Sequence, residues 1–119
     1  VGRPPDETLD VLTGAGASCV FFTELADAIR VEQAARARGL SVPGDLSIVV
    51  LGNHIRAEEP GRRFTSFAIP REAMARAATQ MLVRRVEHDA PVEQLLLPCE
   101  PVEGDTIGPP NANKTKKTR

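Results

Sequence analysis

Two places in the sequence set polar side chains at the end of an apolar run, an arrangement that can hold a small molecule by hydrogen bonds. Thr23 and Glu24 follow Ser18-Cys19-Val20-Phe21-Phe22, and Gly52, Asn53 and His54 follow Leu46-Ser47-Ile48-Val49-Val50-Leu51. A hydroxyl, a carboxylate, an amide and an imidazole together both donate and accept, so they suit a polar ligand better than an apolar one. Each has an ordinary structural role as well: Glu24 answers the positive end of a helix, Asn53 makes a turn, and His54 sits in a surface loop. Other chemistry finds little support. Gly14-Ala15-Gly16-Ala17 precedes an apolar run instead of following one and lacks a third glycine, so it reads as a connection and not as a dinucleotide loop. His54 and His88 have no companions at metal-ligand spacing, Cys19 and Cys99 lie far apart, and no nucleophile elbow is present. The expectation is a binding protein, not an enzyme, with no cofactor and no metal.

The elements that must position these groups can be read from periodicity. Residues 6–13 predict a short helix with acidic residues in its first turn. The runs 18–22 and 46–51 are short, β-favouring and apolar on both faces, which suits strands covered on two sides in a parallel sheet. Between them, residues 24–38 contain no glycine or proline. Leu25, Ala28, Val31 and Ala35 recur there at steps of three and four, Thr23 is the expected N-cap, and Gly39 fits the left-handed position that ends helices. Strand, helix and strand make a βαβ unit, so the sheet is at least partly parallel. Residues 53–63 are a polar connection of the kind that often carries function, and 64–68 a short extended piece. Pro70 opens a helix over 70–88, with Met74, Ala77, Ala78, Met81 and Leu82 as its apolar stripe. Gln94 to Leu97 reads as a further strand that Pro98 interrupts and that Pro101-Val102-Glu103 resumes at a sheet edge.

Composition sets the bounds. The chain has 119 residues, 41% of them hydrophobic and 26% charged, ordinary values for one globular unit. No apolar run is long enough to span a bilayer and no export signal is visible, so a cytoplasmic location is expected. The two cysteines read as buried, reduced thiols. A net charge of −1 offers nucleic acid no general attraction. Residues 1–108 form the predicted unit, and 109–119, PPNANKTKKTR, a disordered basic tail.

The passage Gly39-Leu40-Ser41-Val42-Pro43-Gly44-Asp45-Leu46-Ser47-Ile48-Val49-Val50 resembles the helix-to-strand passage of the LacI/GalR family of bacterial transcriptional regulators. Phe64-Thr65-Ser66-Phe67 with Pro70, the helix Glu72 to Val86 and Leu96-Leu97-Pro98 follow in register, so the resemblance covers roughly residues 18 to 107. It implies an α/β fold, a three-layer α/β/α arrangement around a mostly parallel sheet, and specifically part of the C-terminal subdomain of a periplasmic-binding-protein-like effector domain. The strands near 18–22, 46–51 and 94–97 would belong to that subdomain, and helix 70–88 to the other one. By the same resemblance the chain is the C-terminal part of a repressor that senses a small-molecule effector. It would meet operator DNA only through an N-terminal module that nothing in these residues matches, and it has no membrane partner.

The resemblance also places the functional residues. Ligand contacts fall on Thr23, Glu24, Gly52, Asn53 and His54, at the carboxyl ends of two strands, where open α/β sheets bind ligands. A homodimer would form through the outward face of helix 24–38 and the following loop, with Ile29, Arg30, Glu32, Gln33 and Ile55 at the interface. Two departures from the family pattern concern the effector. Glu24-Leu25 stand where the family has Asn-Asp, and Gly52 stands where it has an aspartate that binds effector hydroxyls. The implied effector is therefore atypical, sugar-like or cationic, or the response has been lost. The alternative is a stand-alone small-molecule-binding or assembly module of the same fold without a DNA-binding role.

Overall fold

The computed structural model describes residues 3–52 and 63–111. Helix α1 spans Pro5–Gly14, strand β1 Cys19–Phe22, helix α2 Leu25–Ala37 and strand β2 Ser47–Leu51. Strand β3 follows at Thr65–Ala68, helix α3 at Arg71–His88 and strand β4 at Glu100–Val102. The four strands lie in one sheet in the order β1-β2-β3-β4. Strand β1 runs parallel to β2 with Phe21 opposite Val49, β2 runs parallel to β3 with Val50 opposite Ser66, and β4 closes the edge antiparallel with Pro101 opposite Phe67. The expected α/β fold with a mostly parallel sheet and a β1-α2-β2 crossover is therefore present.

Side-chain alternation decides where the core sits. Val20 and Phe22 of β1 point to the same face as Ile48 and Val50 of β2, and that face meets Ala28, Val31 and Ala35 of α2 and Leu9 of α1. These are the positions at steps of three and four that predicted an amphipathic helix; only Leu25 of that set is half-buried instead of buried. Fully burying an aliphatic side chain of this kind contributes about 1.5–3 kcal/mol, so this cluster dominates the stability of the sheet and its two helices.

Helix ends are set by local hydrogen bonding. Both α1 and α2 finish in a Schellman motif whose left-handed residue is a glycine. Gly16 (φ 68°) donates to the Thr13 carbonyl while Ala17 donates to Leu12, and Gly39 (φ 73°) donates to Arg36 while Leu40 donates to Ala35. Gly14-Ala15-Gly16-Ala17 is thus a helix stop, in keeping with its reading as a connection. Arg38, at the end of α2, reaches Asp10 at 2.7 Å and Asp6 at 2.8 Å across to α1. Hydrogen bonding to the Asp10 carboxylate is the main reason its guanidinium is held above its already high ordinary value.

A tie between the two inner strands is made by a residue far along the chain. Thr106 is fully buried. Its hydroxyl donates to the Ile48 carbonyl at 2.6 Å and accepts the Thr65 N–H at 2.9 Å, while its own carbonyl accepts the Ile48 N–H at 2.8 Å. Ser47 and Gly108 exchange two further bonds at 3.1 and 3.2 Å. The stretch 105–108 therefore occupies the ladder positions beside the start of β2 that β3 is too short to reach.

Several sequence expectations need correction. Residues 94–97 carry no regular structure, and Leu95 and Leu96 are exposed. The strand in this region is β4, where Pro101 is tolerated because an edge strand can do without its N–H. Cys19 and Cys99 are free, as expected, but exposed; Cys19 lies on the face of β1 that points away from the core, beside Phe21, which is 64% exposed. Thr23 does not cap α2, because Glu24 occupies that position with no side-chain cap bond. Helix α3 has its expected span and stripe, yet it contains no buried residue; Met74, Leu82, Val83 and Val86 all face solvent. Among the described residues no helix is long and apolar enough to cross a membrane. Residues 112–119 of the expected tail lie outside the described residues.

Two buried hydroxyls should respond oppositely to removal. Thr106→Val strands a carbonyl and an N–H, and we expect it to lower unfolding free energy in urea by about 2 kcal/mol or more. Ser66 Oγ is buried with no hydrogen-bond partner, so Ser66→Ala should leave stability unchanged within about 0.5 kcal/mol or raise it. Equal losses in both variants would show that the Thr106 bonds carry no special weight.

Candidate functional site

The parallel pairing of β1 and β2 brings their carboxyl ends to one place. Phe22 is opposite Val50, so Thr23 and Glu24 leave β1 alongside Leu51 and Gly52 leaving β2. A cavity of about 330 Å³ opens there, with Thr23, Glu24 and Gly52 in its wall. Three of the five expected ligand residues are thereby brought together. Asn53 and His54 lie outside the described residues.

The floor of the cavity is apolar, made by Leu25, Val50, Leu51 and Ile69. Its remaining polar wall is Arg71, the first residue of α3, which was not expected at the site. The signal for it was slight: a basic residue directly after Pro70, on a helix assigned elsewhere. Parallel pairing of β2 with β3 is what carries the start of α3 to the same end of the sheet. Among the described residues, the side chains of Glu24 and Arg71 form no ion pair or hydrogen bond, with each other or with any neighbour. Both α2 and α3 begin here without a side-chain cap, so unsatisfied N–H groups at two helix starts add positive potential to the cavity.

Gly52 has a backbone reason to lack a side chain. Its φ is +141°, a conformation that residues with a Cβ rarely adopt, and a Cβ built on it would lie 3.4 Å from the Thr23 carbonyl oxygen. The aspartate that the resemblance led us to expect would therefore strain a turn that glycine makes freely.

The expected dimer face is mixed in character. Arg30 and Gln33 are exposed, with Arg30 3.8 Å from Asp27 one turn earlier. Ile29 is half-buried and packs against the core. Glu32, expected on the outward face of the helix, is buried and bonded to Arg36 at 2.8 Å. Ile55 lies outside the described residues. No group of His, Cys, Asp and Glu among the described residues could hold a metal ion.

The family model of the periplasmic-binding-protein-like domain matches residues 8–107. The chain belongs to that family. In structure it is similar to a LacI family transcriptional regulator from Bifidobacterium animalis subsp. lactis, with a TM-score of 0.76 and 22% identity, over 92% of this chain and 40% of that one. A candidate transcription regulator from Staphylococcus saprophyticus aligns with a TM-score of 0.63 and 16% identity, over 86% of this chain and 37% of that one. The chain thus spans about two fifths of each regulator, and at these identities the likeness is one of fold. The fold resemblance to LacI-type regulators read from the sequence holds. No curated protein matches the sequence.

The backbone at residue 52 gives a direct test. Gly52→Asp places a side chain on a φ it disfavours, so we expect a loss of about 1–3 kcal/mol in urea unfolding. Full stability in this variant would mean that the turn relaxes freely.

Proposed function

We propose that this chain is the ligand-sensing and dimerisation part of a LacI-type transcriptional repressor, acting on a DNA-binding module joined to it in the whole protein. The observation that carries this reading is the cavity at the paired carboxyl ends of β1 and β2 in a periplasmic-binding-protein-like fold. The similarity in fold to LacI-type regulators supports it. In such a scheme ligand binding closes a cleft and shifts the population between two arrangements of the domain, so the chain works by binding and not by catalysis, in the cytoplasm where promoters are. Helix α3, expected to pack in the other subdomain, supports this with an apolar stripe that has no buried residue and exposes Met74 and Leu82.

A repressor of this kind reads two half-sites, which requires a two-fold dimer. The exposed residues Arg30 and Gln33 mark the proposed surface, with Ile29 beneath them. Replacing both exposed residues by glutamate adds like charges across the axis without touching the core. Sedimentation velocity should show a dimer for the unaltered chain and at least a tenfold weaker association for the double variant. A monomer at every concentration of the unaltered chain would remove the dimer. The regulatory role is tested separately, by chromatin capture with an antibody to this chain, which should recover discrete promoter sites; uniform recovery would remove that role.

A further inference from the structure

We infer that the ligand of this cavity is a small zwitterion, an amino-acid-like molecule whose ammonium meets Glu24 and whose carboxylate meets Arg71. This rests on the reading of the cavity as an effector site and specifies its chemistry. Glu24 and Arg71 carry opposite charges in the wall of the same space, and neither is paired, with the other or with a described neighbour. Opposite charges that face one cavity without touching leave a gap for a molecule bearing the complementary pair. A monoanion or monocation satisfies one wall and leaves the other charge uncompensated as water is displaced.

Polarity has a direction within the site. Both helix starts are positive, but the Glu24 carboxylate offsets that of α2 whereas the Arg71 guanidinium adds to that of α3, so the anionic end of the ligand belongs at Arg71. Glu24 stands at the N-cap of α2 with no side-chain cap bond, so its carboxylate is left to accept from the ligand. Leu25 and Gly52, also in the wall, offer no side-chain acceptor for neutral hydroxyls. A volume of about 330 Å³ is at the small end of ligand pockets, which suits a compact molecule.

The test is an amide-shift titration of the 119-residue chain by NMR, which reads weak binding residue by residue. The probes are an ω-amino acid series from glycine to 6-aminohexanoate, with butylamine and butyrate as singly charged controls and glucose as the neutral control. At least one zwitterion should move the amides of Thr23, Glu24, Gly52 and Arg71, and bind roughly tenfold more tightly than either singly charged control. Glu24→Gln and Arg71→Gln, both at exposed positions, should each cost that zwitterion roughly tenfold while leaving the dispersion of the spectrum intact. Glucose, butylamine or butyrate binding at these amides as tightly as the zwitterions would overturn the charge assignment and leave the effector site standing. No movement of these amides with any probe would overturn the assignment too, and the regulatory reading would still be judged by its own promoter test.

Discussion

Parallel neighbours cannot be joined by a tight turn, and that constraint shapes this molecule. Strands β1 and β2 lie side by side in the same direction, so the chain must return along the sheet through α2 before β2 can start. The crossover buries the apolar stripe of α2 on Val20, Phe22, Ile48 and Val50, and the same packing brings both strand ends to one edge. Site and core are consequences of a single pairing. Anything that slipped its register by one residue would turn Ile48 and Val50 outward and separate Glu24 from Gly52 together.

The second inner pairing extends the site. Strand β3 joins β2 in parallel, so its carboxyl end falls in line with theirs, and Arg71 begins the helix that follows. Its ladder is incomplete, and Thr106 fills the gap with a hydroxyl that bonds both strands. A methyl group of the same size would fit the space but leave a carbonyl and an N–H unpaired in a dry interior. Position 106 is therefore set by hydrogen bonding more than by volume.

Most of the core was legible because it follows one periodicity: Ala28, Val31 and Ala35 recur as a buried helix face must, and Ile48 to Val50 form a short apolar run bounded by turn signals. That Thr23, Glu24 and Gly52 stand at neighbouring strand ends followed from the strand order together with the resemblance. The errors have physical sources. Leu95 to Leu97 has strand composition, but composition does not supply a neighbouring strand, and the ladder forms three residues later where β3 is within reach. Glu32 looked like a surface charge until its partner was known: Arg36 one turn on neutralises it, so it can be buried. Thr106 and Arg71 were invisible because their roles depend on contacts with segments distant in sequence.

Unequal support for the two sides of the cavity has a mechanical consequence. Glu24 stands on α2, whose inner face is locked into the core, whereas Arg71 stands on α3, which has no buried side chain. Within the apolar stripe of α3 only Ala77 and Met81 are half-buried, so few side chains fix the helix against the rest of the described structure. A ligand bridging the two charges would join a wall packed into the core to one that is not. Its binding free energy would then appear as a preference for one placement of α3, because a ligand shifts an equilibrium only by its differential affinity for the two states. In the proposed site the carboxylate stands on the helix packed into the core and the guanidinium on the helix without a buried side chain.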